Sequence, residues 1–241
     1  MRGWWLAIDT ASDRASTAAG VPPGTTAIAA VSGARRHAAE IVGMIEDVVT
    51  RSRIRAAELT GIVVADGPGS FTGLRIGWAA AKGLSHEHEV PIVAIPSLLA
   101  AAHGAAVYAQ QSTVAVAFDA LRGQVFAAVY RFEAGSVETL VAPALFTPDE
   151  LARQSTQRVQ VAVGDGAQRF APAFREWTGR EPVAVGDTTP GAESLLALVP
   201  QADLLRRVRA PDEPVYGRPA EAQAKWEARH GRPLPDPTGH Q

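Results

Sequence analysis

The sequence contains no cysteine, which excludes disulfide bonds, thiolate metal sites and a cysteine nucleophile. It also lacks any run close to the roughly 20 apolar residues that a membrane-spanning helix requires. Lys and Arg number 23 against 25 Asp and Glu, so the net charge of −2 gives no overall basic footprint for nucleic acid. Because the N-terminal residues enter an apolar strand at once, without the h-region of a signal peptide, we expect a cytoplasmic protein.

Motifs for metal binding and nucleophilic catalysis are missing as well. His37 opens a predicted helix, but the position four residues later, where a second histidine would share its face, is Ile41. No serine lies in a Gly-x-Ser-x-Gly turn, so the pattern of a hydrolase nucleophile is absent. We therefore expect no metal site and no catalytic residue, and a peptidase has no support in the sequence.

The most structured stretch runs from Gly61 to Lys82 and predicts a strand, a tight turn and a helix. A short apolar run with β-branched residues ends at Asp66, and two glycines and a proline follow it. Ser70 is placed to cap the helix, which begins near Phe71. Unpaired amides and the positive end of the helix dipole would meet at this turn, so it is either a plain tight connection or an anion site. It is not a P-loop, since no Gly-Lys-Ser/Thr follows at the required spacing.

The two halves of the chain repeat one order of elements: three strands, a helix, a strand, a glycine turn, a helix, a strand and a helix. The string WLAIDT, which ends in Asp9 and Thr10, pairs with VAVAFDA, which contains Asp119. Likewise GIVVADGPGSF pairs with VQVAVGDGAQRF, and two weak strings in corresponding places of a duplicated unit support each other. This layout resembles the actin, Hsp70 and sugar-kinase superfamily. The sequence therefore predicts an α/β fold of two duplicated actin-like domains with the RNase H-like βββαβα order.

We place the first domain at residues 1–110, the second at residues 111–219 and a proline-rich, partly disordered tail at residues 220–241. In the second domain, a capping box from Thr147 to Glu150 predicts the start of one helix. A later helix is expected to run through Phe170 and Trp177.

In the actin-like superfamily, the paired aspartate loops face each other across a nucleotide cleft. Here Asp9 and Asp119 would either hold a magnesium ion through water or cap the ends of their strands, and the sequence leaves both alternatives open. An active kinase follows its first aspartate with a glycine-bearing turn that wraps phosphate, yet no glycine occurs between Asp9 and Gly20. An ATP-dependent phosphotransferase is therefore the alternative function, with an incomplete phosphate loop.

Two helices of the first domain carry patterned faces. The helix from about Arg35 to Arg53 has an apolar stripe, which fits either burial against its own sheet or contact with a partner. In the helix after the glycine turn, Gly73, Gly77 and Ala81 recur every four residues. One face of that helix is thus nearly bare backbone, which another helix could approach closely.

Five strings together resemble the TsaB (also called YeaZ) family: LAIDTA, RRHAAEIVGMIEDVV, VVADGPGSFTGLRIGWAAAKGLSHEHEVPIVAIPSLLA, AFDALRGQVFAAVY and PVYGRPAEA. The resemblance covers about residues 3 to 225, and GPGSFTGLRIG with the downstream AAKGL is specific to that family. The aspartate loops alone would indicate only the wider superfamily.

The resemblance implies a non-catalytic activating subunit, with no cofactor of its own, for making N6-threonylcarbamoyladenosine (t6A) at position 37 of tRNA. Members of the family bind the TsaD transferase, their paralogue, and a TsaE-type ATPase completes the bacterial set. A homodimer is expected when the chain is alone. Direct contact with tRNA and a nucleotide at the interface shared with TsaD are left open, and no membrane association is expected.

The resemblance also implies two sets of site residues. Two helices of the first domain would dock as a four-helix bundle, so that Gly77→Trp would break association and leave the fold intact. The residues expected at this interface are Ile41, Met44, Ile45, Val48, Gly73, Gly77, Trp78 and Ala81. A vestigial nucleotide cleft would be lined by Asp9, Thr10, Gly67, Gly69, Ser70, Arg75 and Asp119.

Overall fold

The computed structural model describes residues 3–33, 36–110, 112–120, 122–133, 136–183, 191–201, 206–209 and 212–217. The strands of the first sheet are β1 (Trp4–Asp9), β2 (Arg14–Gly20), β3 (Ala27–Ser32), β4 (Leu59–Ala65), β5 (Ile92–Ile95) and β10 (Arg206–Arg207). Those of the second sheet are β6 (Thr113–Asp119), β7 (Val125–Glu133), β8 (Ser136–Phe146) and β9 (Val161–Val163). The helices are α1 (His37–Arg51), α2 (Phe71–His88), α3 (Ser97–Ala109), α4 (Pro148–Gln154), α5 (Asp165–Arg169), α6 (Ala171–Thr178) and α7 (Ala192–Leu198).

The two sheets repeat one topology. In the first, β1, β2 and β3 form an antiparallel meander, β4 and β5 add in parallel beside β1, and the order is β10-β5-β4-β1-β2-β3. In the second, β6, β7 and β8 form the meander, β9 adds in parallel to β6, and the order is β8-β7-β6-β9. Val183 extends the second sheet by a parallel bridge to Val163. The predicted fold of two duplicated actin-like units is confirmed.

Strands β1, β4 and β5 of the first sheet bury both faces, as their apolar sequences predict. Alternate residues of β1, such as Leu6 and Ile8, pack in one hydrophobic cluster with α1 and α2. The residues between them, such as Ala7, belong to a second cluster that includes α3, α7 and the second sheet. A third cluster covers the far face of the second sheet with α4, α5 and α6. The layers are therefore α1 and α2, the first sheet, α3 and α7, the second sheet, and α4 to α6.

The two halves interlock through their last helices. Helix α3 of the first half packs on β6, β7 and β9 of the second sheet, and α7 of the second half packs on β1, β2 and β4 of the first. The same hydrophobic cluster contains Val63, Leu98, Val116 and Leu195, all fully buried. The halves consequently share one core instead of each completing its own.

Local signals in the second half predicted some elements and missed others. The capping box is present, with Thr147 N–H donating to Glu150 Oε2 at 2.7 Å and Glu150 N–H to Thr147 Oγ1 at 3.3 Å. The single helix expected through Phe170 is wrong: α5 and α6 meet at that residue. Pro172 explains the break, because a proline in the first turn has no N–H to continue the preceding helix. A 3₁₀ helix at Ala56–Glu58 and strand β10 were not predicted.

The end of the described chain returns to the first sheet, although the sequence placed residues 111–219 in the second domain. We call residues 206–209 and 212–217 the C-terminal strap. Its strand β10 pairs antiparallel with β5, and the N–H of Val215 donates to the Asp66 carbonyl at 2.7 Å. Arg206 donates through Nη2 and Nε to the two carboxylate oxygens of Asp66 at 2.5 and 2.8 Å. The buried Asp66 carboxylate requires a counterion, and the strap supplies it.

Two expectations lie outside the described residues: the tail at 220–241 and the arginine at position 35 that was expected to begin the first long helix. Within the described ranges, no helix is both long enough and apolar enough to cross a membrane.

Replacement of Leu195 by Ala tests the shared core. Leu195 on α7 is fully buried in the cluster that spans both halves, so we expect a loss of about 3 kcal/mol in the free energy of unfolding. Urea denaturation would measure it, with Val107→Ala, at a side chain 56% exposed, as the control within about 0.5 kcal/mol of wild type. A Leu195→Ala loss as small as that of the control would show that α7 does not contribute to the core.

Replacement of Arg206 by Ala tests the strap. It leaves the Asp66 carboxylate buried and unpaired, so we expect a loss of about 1–3 kcal/mol in stability and faster proteolysis within the strap. Arg207→Ala is the matched control, because Arg207 is the exposed neighbour on the same strand. Equal cleavage rates for the two variants would contradict this role of the ion pair.

Candidate functional site

The glycine turn between β4 and α2 packs directly on the loop that follows β1. The N–H of Ser70 donates to the Ala11 carbonyl at 2.8 Å, and the N–H of Ala11 donates to Asp9 Oδ1 at 3.1 Å. A Cβ atom at Gly69 would collide with the Ala11 carbonyl oxygen, and one at Gly73 with the carbonyl oxygen of Thr10. Glycine is therefore required here by the close approach of two backbones.

Three N–H groups of this turn are already bonded to protein acceptors. Gly67 donates to Ser97 Oγ at 2.8 Å, Ser70 to the Ala11 carbonyl, and Gly73 to Ser70 Oγ at 3.1 Å. The Ser70 hydroxyl is thus the predicted N-cap of α2. These bonds favour the tight connection over the anion site, since amides committed to the protein are not available to a phosphate.

The two aspartates at the strand ends sit in separate local networks. Burial raises the pKa of the Asp9 carboxyl, and this effect outweighs the N–H of Ala11 and the nearby charge of Arg14, which lower it. Asp119 instead accepts from Arg169 Nη1 at 2.6 Å, while its own N–H donates to Asp165 Oδ1 at 3.0 Å. Asp9 is thus a partly buried strand-end cap, and Asp119 is a member of an ion pair.

The turn of the second half repeats the close approach seen in the first. A Cβ at Gly164 would collide with the Ala117 carbonyl oxygen, and one at Gly166 would lie 2.8 Å from the Phe118 carbonyl carbon. Gly217 of the C-terminal strap lies between the halves, because a Cβ there would be 2.9 Å from Pro68 and 3.0 Å from Phe126. The strap thus reaches the junction of both domains.

The start of α1 places a single histidine, His37, where a metal pair would need two. His37 is fully buried, and its Nε2 lies 2.9 Å from the Asp13 carbonyl oxygen, while the apolar Ile41 occupies the next turn of the same face. Within the described residues, no group of three or more His, Asp or Glu side chains is arranged to hold a metal ion.

The side chains expected at a partner interface lie inside the monomer. Ile41, Ile45 and Val48 pack with Leu6, Ile8, Trp78 and Ala81 in the cluster that covers the first sheet, and Met44 is also buried. Gly73 and Gly77 face the loop after β1, where a Cβ at Gly77 would collide with Thr10 Oγ1. The expectation that Gly77→Trp leaves the fold intact is therefore wrong, because no space exists for a larger side chain. Docking of a partner on α1 and α2 stays a prediction. The buried residues named above would then position the two helices without contacting the partner.

A different face of the same helices is turned outward. Helices α1 and α2 lie side by side, and we call eight of their exposed residues the outward helix face: Ala39, Val42, Gly43 and Glu46 on α1, and Thr72, Arg75, Ala79 and Gly83 on α2. A Cβ at Gly43 or at Gly83 would meet no atom within 4 Å, and Val42 is 61% exposed. Sequence reasoning missed this face, although the repeat of small residues at 72, 79 and 83 was its signal.

Comparison with known proteins places the chain in a family. A family model described as "TsaD: tRNA N6-adenosine threonylcarbamoyltransferase" matches residues 18–211. The chain is 33% identical over 175 residues to the Escherichia coli (strain K12) protein named tRNA threonylcarbamoyladenosine biosynthesis protein TsaB, covering 71% of this chain and 75% of that one. The Bacillus subtilis (strain 168) protein of the same name is 33% identical over 107 residues, which cover 44% of this chain and 46% of that protein.

Solved structures agree with the sequence relatives. YeaZ from Pseudomonas aeruginosa superposes with a TM-score of 0.72 at 25% identity, covering 89% of this chain and 99% of that one. A second structure, described as an uncharacterized protein with similarity to peptidase YeaZ from the same organism, gives a TM-score of 0.73 at 25% identity, with 90% and 100% covered. The chain therefore belongs to the TsaB (YeaZ) family and carries the TsaD-type family domain.

Proposed function

We propose that this protein acts in the biosynthesis of t6A in tRNA, as a subunit that binds and activates a TsaD-type transferase and makes no bond itself. Support for the pathway comes from the relatives, which are named tRNA threonylcarbamoyladenosine biosynthesis proteins. Support for the accessory role comes from the outward helix face, where two glycines leave open backbone on neighbouring helices. That face is the single observation on which the docking proposal depends.

The outward helix face has the properties that close helix packing requires. Its residues on α2 recur at positions 72, 75, 79 and 83, the three- and four-residue spacing of a helix seam. Gly43 and Gly83 would let a partner helix approach to the lower end of the usual 8–10 Å between axes. A side chain at Gly43 or Gly83 would meet no atom of the described chain within 4 Å of its Cβ, so packing within the monomer does not require glycine at either position.

Charges on this face favour a partner built on the same plan. The exposed part of α1 carries Glu46 and Asp47, and Asp47 is paired with Arg51 of the same helix at 2.8 Å, whereas that of α2 carries Arg75, His86 and Glu87. If α1 packs beside the partner's counterpart of α2, Glu46 of each protein faces a helix that carries Arg75 or its counterpart. A second copy satisfies this arrangement, and so does a paralogue: two proteins named tRNA N6-adenosine threonylcarbamoyltransferase are 33% and 36% identical to this chain over 61 residues. We therefore propose a homodimer for the lone chain and a heterodimer with the transferase.

The environment of the strand-end loops supports an accessory role over a phosphotransferase. In the first half, the carbonyl oxygens of Thr10 and Ala11 lie against the glycine turn, where a kinase would hold phosphate. Carbonyl oxygens repel phosphate, and the amides of Gly67, Ser70 and Gly73 are bonded to protein acceptors. A nucleotide at the interface with the transferase, and a contact with a TsaE-type ATPase, stay expectations of the family resemblance.

Replacement of Gly83 by Trp tests the docking face. We expect the heterodimer to weaken at least about tenfold, because the indole blocks close approach of the partner helix. The fold is expected to persist, since a mid-helix glycine costs about 1 kcal/mol relative to alanine and nothing lies within 4 Å of the new side chain's Cβ. Sedimentation velocity measures association, and thermal unfolding measures the fold.

Glu176→Trp is the matched control, because it adds the same side chain to an exposed position of α6 in the other half. Gly77→Ala provides the opposite contrast: its Cβ collides with Thr10, so stability falls in the monomer itself. Association of Gly83→Trp at wild-type strength would refute docking through this face.

A reconstituted modification assay tests the proposed function. The transferase and remaining t6A enzymes from the same genome would be incubated with tRNA, with and without this protein, and t6A would be counted by mass spectrometry of nucleosides. We expect t6A formation to depend on this protein, and Asp9→Asn and Asp119→Asn to retain most of the stimulation. Loss of activity in both aspartate variants, with the fold intact, would favour a catalytic role instead.

A further inference from the structure

Arg75 on the outward helix face is held in place by two aromatic rings. Its guanidinium carbon lies 4.2 Å from the centre of the Phe71 ring and 5.6 Å from that of Tyr216. Its Nε–H donates to the Tyr216 hydroxyl at 3.0 Å, and the two rings themselves are 4.5 Å apart. Tyr216 belongs to the C-terminal strap, so the strap and the first turn of α2 together fix the orientation of this exposed side chain.

The two terminal nitrogens of the Arg75 guanidinium form no hydrogen bond within the described part of the chain. Arg206, Arg169 and Arg131 each pair with a carboxylate, whereas Nη1 and Nη2 of Arg75 have no hydrogen-bond acceptor within the described ranges. Glu213 is near enough to influence the charge of Arg75 but forms no ion pair with it there. A planar fork fixed in this way loses little side-chain entropy when it binds a carboxylate or a phosphate bidentately.

Arg75 stands within the docking face, between Thr72 and Ala79 on the same side of α2. We propose that Arg75 is the charged anchor of this face and binds a carboxylate on the docking helix of the partner protein. The inference rests on the proposed function, which supplies the partner. The inference adds that the contact is an arginine–carboxylate pair. It also gives the C-terminal strap a role in partner recognition, because Tyr216 orients Arg75.

A protein carboxylate fits the surroundings of Arg75 better than the phosphates of tRNA. Apart from Glu46, the other positions of the face are small or apolar, as Val42, Ala79 and Gly83 show, and such surfaces pack against helices. Phosphate backbones are instead bound by groups of basic residues, and here Glu213 lies beside the single arginine. The net charge of −2 adds no attraction for a polyanion.

The experiment measures the dissociation constant of the complex with the transferase from the same genome, by isothermal titration calorimetry at two salt concentrations. We expect Arg75→Gln to weaken binding about tenfold or more, and Arg75→Lys to recover little, since an ammonium neither forks nor stacks as the guanidinium does. Tyr216→Phe keeps the ring and removes the hydroxyl, so a smaller loss of about threefold is expected. Added salt should weaken wild type more than Arg75→Gln.

Arg131→Gln is the control, because it removes an arginine that is paired with Glu138 in the second half. Wild-type affinity in Arg75→Gln, together with weakened binding in Gly83→Trp, would overturn the anchor and leave the proposed function standing. No binding of the wild-type protein to the transferase would overturn both. A gel-shift loss of tRNA binding in Arg75→Gln with protein association unchanged would assign the anchor to nucleic acid and refute the proposal.

Discussion

The close approach of the glycine turn to the loop after β1 is the constraint on which the rest of the first half depends. Gly69 and Gly73 bring two backbones together, and the bond from Ser70 N–H to the Ala11 carbonyl fixes their register. The start of α2 is thereby set over the end of β1. This determines which side of α2 faces the sheet, where Gly77 meets Thr10, and which side carries Arg75 and Gly83 outward. The glycine turn thus orients a helix.

The C-terminal strap connects this arrangement to the junction between the halves. Arg206 neutralises the buried Asp66 at the end of β4, and the following residues carry Tyr216 onto Phe71 and Gly217 between Pro68 and Phe126. The pair also raises the pKa of Arg206, because the Asp66 carboxylate stabilises its charged form. One ion pair in the interior thus supports a contact at the surface, since the strap that it holds is also the strap that orients Arg75.

Sequence patterns predicted the features that depend on neighbours in the chain. The start of α2 at Phe71 and its N-cap at Ser70 were predicted, and the duplicated order of strands and helices was confirmed. A four-residue repeat of glycines correctly indicated a close approach, but it does not state whether the approaching backbone belongs to a partner or to the same molecule. In this protein the approaching backbone is the loop at Thr10 of the same chain. Strand β10 could not be predicted from its own sequence. Its position depends on pairing with β5 and on the ion pair between Asp66 and Arg206, which are far apart in sequence.

The exchange of final helices between the halves has a consequence for how the protein is made. The inner face of the first sheet, including Ala7, Ala18 and Val63, is covered by α7, which begins at Ala192. A ribosome that has finished β5 at Ile95 must add roughly 100 residues before that cover exists, about 5–20 s at the usual rate of synthesis. During that time an apolar sheet face is exposed on the nascent chain. The first half of the fold is therefore completed only after α7 has been synthesised, and until then the growing chain exposes the kind of apolar surface that chaperones bind.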